Sequence, residues 1–252
     1  MELESFFKPI VLPEAPKQGA IYDQMRHIIF TLEELETFGQ QSLYVVDYLT
    51  QRFLYVSPHP LFLCGFPRNR VKELGYNFYP KVVPENELQM LSEINEVGFN
   101  FFYNLPVEER SMTFLSYDFH IQHFHGHNLL INHKAKPLLL TEDGNIWLAM
   151  CRVSLSNQKK AGNVRLQLTN GTVDYDYSLA EKRLIPQTRK TLSEYEQQVL
   201  TLCAQGCKEL QIAEITNLSV DNVKNIKRKI YKSMGVVNMT EAVYFAQAQG
   251  LI

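Results

Sequence analysis

The chain has 252 residues and a formal net charge of −2, with 45% hydrophobic and 21% charged residues. That length leaves room for two modest domains, and the balance is that of ordinary globular protein, which excludes a disordered chain or a membrane protein. No apolar run approaches the ~20 residues of a membrane span, and the acidic, proline-dotted start is no signal peptide, so the expected location is the cytoplasm.

In chain order, the first ~18 residues, with Pro9, Pro13 and Pro16, read as an extended arm. Ile21 to Phe38 reads as a helix, because Ile21, Met25, Ile28, Ile29, Leu32 and Leu35 recur at three- and four-residue steps. Its apolar stripe either packs on the domain behind it or forms a dimerisation helix. From Leu43 the period changes to that of strands. Leu43–Asp47 and Arg52–Val56 flank a short turn, and a helical stretch punctuated by Pro58, Pro60, Pro67, Pro80 and Pro84 follows. Its longest helix spans Glu85 to Asn104, with Leu88, Leu91, Ile94 and Val97 or Gly98 on one face. Three long strands come next: Ser111–His123, Asn128–Leu140 and Ile146–Ser156. Asn163–Thr169 and Val173–Ser178 alternate around Asn170-Gly171, a strong hairpin signal. Glu181 to Lys190 reads as a polar, basic connector.

Two strands, a helical insert and three strands is the order of a PAS domain. The phrases YVVDYLTQRFLYVS and LLINHKAKPLLLTEDGNIWLAMCRVS, at 44–57 and 129–154, resemble PAS sensor domains attached to LuxR-type regulators. The resemblance implies a sheet with a helical cover and a gap between them that holds a ligand, here a small molecule of unknown identity. No Asn-Cys-Arg-Phe-Leu phrase of a photoactive flavin site is present; Cys64 stands in LFLCGFPRNR instead. The Glu85–Asn104 helix carries no histidine for haem, so no cofactor is expected. Phe99, Phe101, Phe102, Tyr103, Phe114, Tyr117 and Phe119 read as core residues or, alternatively, as pocket walls. His120, His123, His125, His127 and His133 bunch around one hairpin. His123, His125 and His127 share a face if strand alternation holds, and are the candidate metal ligands. No carboxylate or cysteine completes the set nearby, so turn and edge-strand residues is the plainer reading.

The last quarter breaks into four short helices. Ser193 with Glu196 forms a capping box, and Gly206 ends the first helix. The second runs from about Lys208 to Thr216, with Ile212, Ala213 and Ile215 as its apolar stripe. Asn217 and Leu218 make a turn, Ser219 caps a third helix that stops at Gly235, and Thr240 is the expected cap of a fourth, with Glu241 in its first turn. On the third helix Val223, Ile226, Ile230 and Met234 fall on one arc that faces the core. Asp221, Lys224, Asn225, Arg228 and Lys232 cluster opposite, with Lys227 and Lys229 on the flanks. From Pro186 onward eight Lys and Arg face six Asp and Glu, an excess of +2 that leaves −4 for the rest of the chain. Only this part is therefore expected to touch nucleic acid. All four cysteines, Cys64, Cys151, Cys203 and Cys207, read as reduced thiols, and Cys203 and Cys207 lack the further ligands of a metal pair.

These residues resemble the LuxR-type (GerE- or NarL-like) DNA-binding domains of bacterial regulators. The family opening Leu-Thr-x-Arg-Glu-x-Glu-Val-Leu is matched by Leu192, Ser193, Glu196, Val199 and Leu200, and Ala-x-Gly by Ala204 and Gly206. Ile212 and Ala213 follow the family's Glu-Ile-Ala; Ser219, Val223 and Lys224 follow its Ile-Ser-x-x-Thr-Val-Lys-x-His. Gly235, Val236, Glu241 and Ala242 continue the match. The chain departs at Tyr195, Ile226 and Met239, where arginine, histidine and arginine are usual. Ile226 lies on the core arc, so it alters packing rather than base reading. The resemblance implies a helix-turn-helix with its basic helix in the major groove. Lys224 and Arg228 lead the candidate DNA face, beside Asn225, Lys232 and Asp221, while Lys227, Lys208 and Ser219 are candidate backbone contacts. Double-stranded DNA, RNA polymerase and a second copy of the chain are the partners it implies.

No paired carboxylates, Ser/His/Asp order or glycine-rich phosphate loop stands out, so an enzyme is not expected. The expectation is an α+β chain. Its parts are an N-terminal arm and helix over 1–42 and a PAS-like antiparallel five-stranded sheet with helical cover over 43–156. A β-hairpin and connector over 157–190 lead to an all-α, four-helix LuxR-type domain over 191–252. The expected function is a one-component transcription regulator. The rival is a signalling protein whose PAS-like domain binds a protein partner, with weak or secondary DNA binding.

Overall fold

The computed structural model describes residues 18–36, 42–123, 126–169, 171, 173–189, 191–249 and 251–252. The proline-bearing arm, the Phe38 end of the first helix, His125, Asn170 and Lys190 lie outside those residues. The chain divides into two units, the second being Arg189–Ile252. Among the described residues no helix is long and apolar enough to cross a membrane.

The first unit opens with α1 (Gln18–Leu35). Met25, Ile28, Ile29 and Leu32, one helical face, pack against Val45, Tyr55, Trp147 and Leu148 on one side of a sheet. Phe30 lies off that face and is 62% exposed. β1 (Ser42–Asp47) and β2 (Arg52–Val56) form the first hairpin. The insert comprises α2 (Pro60–Leu63), α3 (Arg68–Leu74), a 3₁₀ turn (Gly75–Phe78), α4 (Tyr79–Val82), α5 (Glu85–Tyr103) and α6 (Val107–Arg110). The strands β3 (Thr113–Gln122), β4 (Asn128–Leu140) and β5 (Ile146–Leu155) follow where alternation placed them.

The five-strand expectation is corrected. Three more strands, β6 (Gly162–Leu168), β7 (Val173–Ser178) and β8 (Arg183–Thr188), extend the same sheet to eight, all neighbours antiparallel, in the order β2-β1-β5-β4-β3-β6-β7-β8. β3 would otherwise be an edge; β6 covers it from Thr113↔Leu168 to Asp118↔Gly162 and buries Val164 and Leu166. The stretch read as a connector is β8. It looks polar because it is the new edge, a position in a sheet where a proline such as Pro186 is tolerated. Beyond the end of β6, Glu87 takes over: its carboxylate accepts from the His120 amide at 2.7 Å and lies 2.6 Å from His120 Nδ1. Glu93 ties α5 to the added strands through Tyr177, whose hydroxyl donates at 2.9 Å, and through Lys182.

The helical insert covers the sheet face opposite α1. Leu91 and Ile94 of α5, with Phe62, Phe78 and Val82, meet Tyr44, Phe119, Ile131 and Val153 in the main core. Burying a side chain of this size stabilises the fold by about 1.5–3 kcal/mol.

The second unit contains α7 (Glu194–Ala204), α8 (Glu209–Thr216), α9 (Val220–Met234) and α10 (Met239–Gln249). Val199, Leu200, Ile212, Val223, Ile230, Ala242 and Ala246 are its fully buried centre. The Ser193–Glu196 capping box forms, and Gly206 and Gly235 take φ of +83° and +69° at helix ends, which suits residues without a Cβ. Two local expectations change. Asn238, not Thr240, caps α10: its side-chain oxygen accepts from the Glu241 amide at 2.9 Å, and its carbonyl from Ala242. Ile215 is 60% exposed. At about 100° per residue it lies roughly 110° from the inward direction set by Ile212 and Ala213.

Candidate nucleic-acid interface and ligand cavity

The basic helix is held at both ends and along one side. Asn217 leaves α8 in the left-handed conformation (φ +54°), and the Leu218 amide donates to Ala213. Ser219 then starts α9, its hydroxyl accepting from the Asn222 amide at 3.2 Å. Val223 and Ile230 are fully buried, with Ile226 and Met234 packed beside them, as the sequence arc predicts. That anchorage turns Asp221, Lys224, Asn225, Arg228, Lys229 and Lys232 outward, and all six are exposed. Arg228 Nη1 donates to Asn225 Oδ1 at 3.1 Å, so the two side chains form one preset group. Arginine and asparagine suit the paired donor and acceptor edges of guanine and adenine in a major groove, and lysines suit phosphates.

Lys227 stands apart. Its side chain is 20% exposed, and Nζ lies 2.9 Å from Glu209 Oε1 at the start of α8. Burial alone lowers its ammonium, but the bond to Glu209 outweighs that and holds it above its ordinary value. The same bond holds the Glu209 carboxyl below the usual carboxylate range. Lys227 thus fastens α9 to α8. Lys208 is exposed before α8, its amide donating to Gln211 Oε1 at 2.8 Å.

The first unit contains a cavity of about 70 Å³ between the sheet and α4–α5. Register explains its walls. Tyr44 pairs with Cys151, Cys151 with Ala135 and Ala135 with Leu115; one step along, Val153 pairs with His133 and His133 with Tyr117. Residues two apart on a strand share a face, so Tyr44, Tyr117, His133 and Cys151 project together into the helical side. Phe99, Phe101 and Phe102 complete the aromatic wall; Phe114 has the opposite parity in β3, its ring lying 5.6 Å from the Lys134 ammonium, and Phe119 is core. The Tyr44 hydroxyl meets His133 Nε2 at 2.5 Å and also hydrogen-bonds the Tyr79 hydroxyl. His133 is 2% exposed, and its Nδ1 has no hydrogen-bond partner. Leaving such a group unmet costs about 1–3 kcal/mol. Burial pushes the His133 imidazole down to about 3 and the Cys151 thiol up to about 12, and raises the phenols of Tyr44, Tyr79 and Tyr117. Each is therefore neutral near pH 7. The sequence reading grouped His133 with its histidine neighbours and passed over Tyr44, Tyr79 and Cys151; the inward parity of His133 in β4 was the available signal.

The described histidines of this hairpin do not converge. His120 is bonded to Glu87 and His133 is in the cavity wall, while His123 and His127 close the turn through a 2.9 Å backbone bond from His123 N to His127 O. Among the described residues no group of three or more His, Cys, Asp or Glu side chains is placed to hold a metal ion.

A buried three-helix seat for a capped, outward-facing basic helix defines a helix-turn-helix DNA-binding domain. Residues 190–246 match the GerE family, described as bacterial regulatory proteins of the luxR family. Residues 190–246, nearly all of the second unit, are accordingly a helix-turn-helix domain of the LuxR type. No curated protein matches the chain. Among solved structures, the response regulator ChrA of a heme-sensing two-component system is similar at 35% identity over 26% of this chain, with a TM-score of 0.25. The match spans about a third of ChrA, 33% of its length. A Vibrio cholera VqmA–ligand–DNA complex is 15% identical over 87% of this chain and 88% of that one, with a TM-score of 0.35. The N-terminal domain of a diguanylate cyclase with PAS/PAC sensor from Marinobacter aquaeolei is 16% identical over 46% of this chain and 94% of that one, with a TM-score of 0.33. With every TM-score below 0.5, the assignment of the second unit rests on the family match.

Proposed function

We propose that the chain is a one-component transcription regulator, in which a PAS-like sensor controls binding of double-stranded DNA by α9. The observation that carries this reading is the exposed group Lys224, Asn225, Arg228 and Lys232 on a helix seated in the core by Val223 and Ile230. Asn225 and Arg228 read base edges, and Lys224, Lys232 and Lys208 meet phosphates. Ser219 sets the start of the helix, Asp221 occupies its first turn, and Lys227 acts through Glu209 to hold its angle. The charge excess of this unit is small, so a homodimer spanning two half-sites supplies the affinity that one copy lacks. RNA polymerase is the further partner that such a regulator implies, and the cytoplasm is where both would be met. The order β2-β1-β5-β4-β3, the helical cover and the cavity support a PAS-like, ligand-sensing first unit.

The test is selection of genomic DNA fragments by the purified chain at several salt concentrations. An enriched inverted repeat, with affinity falling steeply as salt rises, is the expected outcome. Weak, sequence-blind binding at every salt concentration would favour the partner-binding reading.

A further inference from the structure

We infer that the cavity of the first unit takes a small, uncharged ring compound bearing a hydrogen-bond acceptor, recognised by an N–H at Nδ1 of His133. The inference rests on the ligand-sensing reading and adds the class of ligand. The position of the imidazole proton follows from its neighbours. Nε2 is engaged by the Tyr44 hydroxyl at 2.5 Å, and the same hydroxyl meets that of Tyr79. An unprotonated imidazole nitrogen is the strongest acceptor of the three groups, and a phenol is a far better acid than a neutral imidazole N–H. The Tyr44 proton therefore points at Nε2, and the Tyr79 hydroxyl donates to the Tyr44 oxygen. A neutral imidazole whose Nε2 accepts carries its one proton on Nδ1. That Nδ1 is buried without a protein partner, on a ring that lines the cavity. What is missing there is an acceptor.

The rest of the lining fixes the charge and shape. Tyr44, Tyr117 and Cys151 offer only neutral polar groups to the cavity. Lys136 also lies at the wall, but its parity in β4 is opposite to that of His133 and Ala135, which sends its ammonium to the other face of the sheet. A carboxylate, phosphate or ammonium entering here would lose its hydration without gaining a counter-charge. Tyr117 stands with its ring centroid 4.8 Å from that of His133, and Phe99 and Phe102 of α5 line the same cavity, so a flat ring meets aromatic surface there. A cavity of about 70 Å³ is less than half the ~150 Å³ that takes benzene, so as it stands it holds a few waters, and it takes a single ring with few substituents only as its walls give way.

The test titrates three probes of one shape into the full chain: benzamide, with a carbonyl acceptor; benzoate, its charged counterpart; and ethylbenzene, which has no acceptor. Binding is followed by NMR together with the ¹⁵N resonances of His133. Benzamide is expected to bind at least about tenfold more tightly than benzoate and several-fold more tightly than ethylbenzene, and to shift the protonated Nδ1 resonance. In Tyr44→Phe, which frees Nε2 to carry the proton, the preference for benzamide over ethylbenzene is expected to shrink. The comparison within the wild-type chain needs no variant to fold. Equal or tighter binding of benzoate or ethylbenzene, or a proton found on Nε2, overturns the ligand class and leaves the sensor reading standing. No binding by any of the three overturns the class and counts against the sensor reading as well.

Discussion

Replacing Arg228 and Lys227 by alanine, one at a time, removes the same charge from the same helix, yet the two changes are expected to affect different properties. Arg228 is exposed and its side chain donates to Asn225, a surface bond worth about 1 kcal/mol or less, so its loss leaves the fold intact. On DNA its guanidinium replaces that bond with two to a base edge, and removing it should weaken specific binding by on the order of 1–3 kcal/mol, roughly 5- to 150-fold. Lys227 is 20% exposed and engaged with Glu209. Its loss should lower stability by up to ~1 kcal/mol and DNA affinity by less than about threefold. Fluorescence anisotropy on one selected fragment in matched salt, with thermal melts of each variant, separates the two. Equal loss of affinity in both variants would refute the reasoning, since binding would then follow charge count rather than the exposed face.

Two further outcomes follow from buried groups. Ile230→Ala, at a fully buried position in the core of the second unit, should destabilise that unit by about 2–5 kcal/mol and abolish DNA binding, while the first unit keeps its melting transition in calorimetry. His133 has its folded pKa pushed down to about 3, against about 6.5 unfolded, so between those values the unfolded chain binds the extra proton. The first unit should therefore lose stability as pH falls through that window, by up to about 1.4 kcal/mol per pH unit, and be insensitive to this group above it. Urea midpoints against pH for the wild type and His133→Gln check this; equal slopes for the two would contradict it.

The DNA-binding unit was legible because its signals are local. Ser193 with Glu196, Gly206, Ser219 and Gly235 punctuate the helices, and the stripe from Val223 to Met234 fixes which side of α9 faces outward. Where local signals compete, the sequence misleads: Asn238 and Thr240 are both good caps, and only packing decides that Asn238 starts α10. The sheet was half legible. Of the long strands, Asn128–Leu140 was placed to the residue, and Ser111–His123 and Ile146–Ser156 to within two residues of Thr113–Gln122 and Ile146–Leu155. The extension to eight strands was not, because β8 is an edge strand whose exposed residues read like a linker, and because pairing between β3 and β6 is a contact distant in sequence. A gap between sheet and helices was expected, but the polar cluster in its wall escaped for the same reason. Tyr44, Tyr79 and His133 are 35 and 89 residues from one another along the bonds that join them at Tyr44, and no spacing rule links them.

The central claim is that the exposed row of α9 reads DNA. Its most direct test is to substitute each base pair of a selected site in turn and measure binding of the wild-type chain, Lys224→Ala and Arg228→Ala. Arg228→Ala is predicted to lose its preference at one or two adjacent positions in each half-site and keep the rest. Lys224→Ala is predicted to bind every sequence more weakly by a similar factor, with a smaller dependence on salt. An unchanged preference profile in Arg228→Ala, at full affinity, would contradict the account.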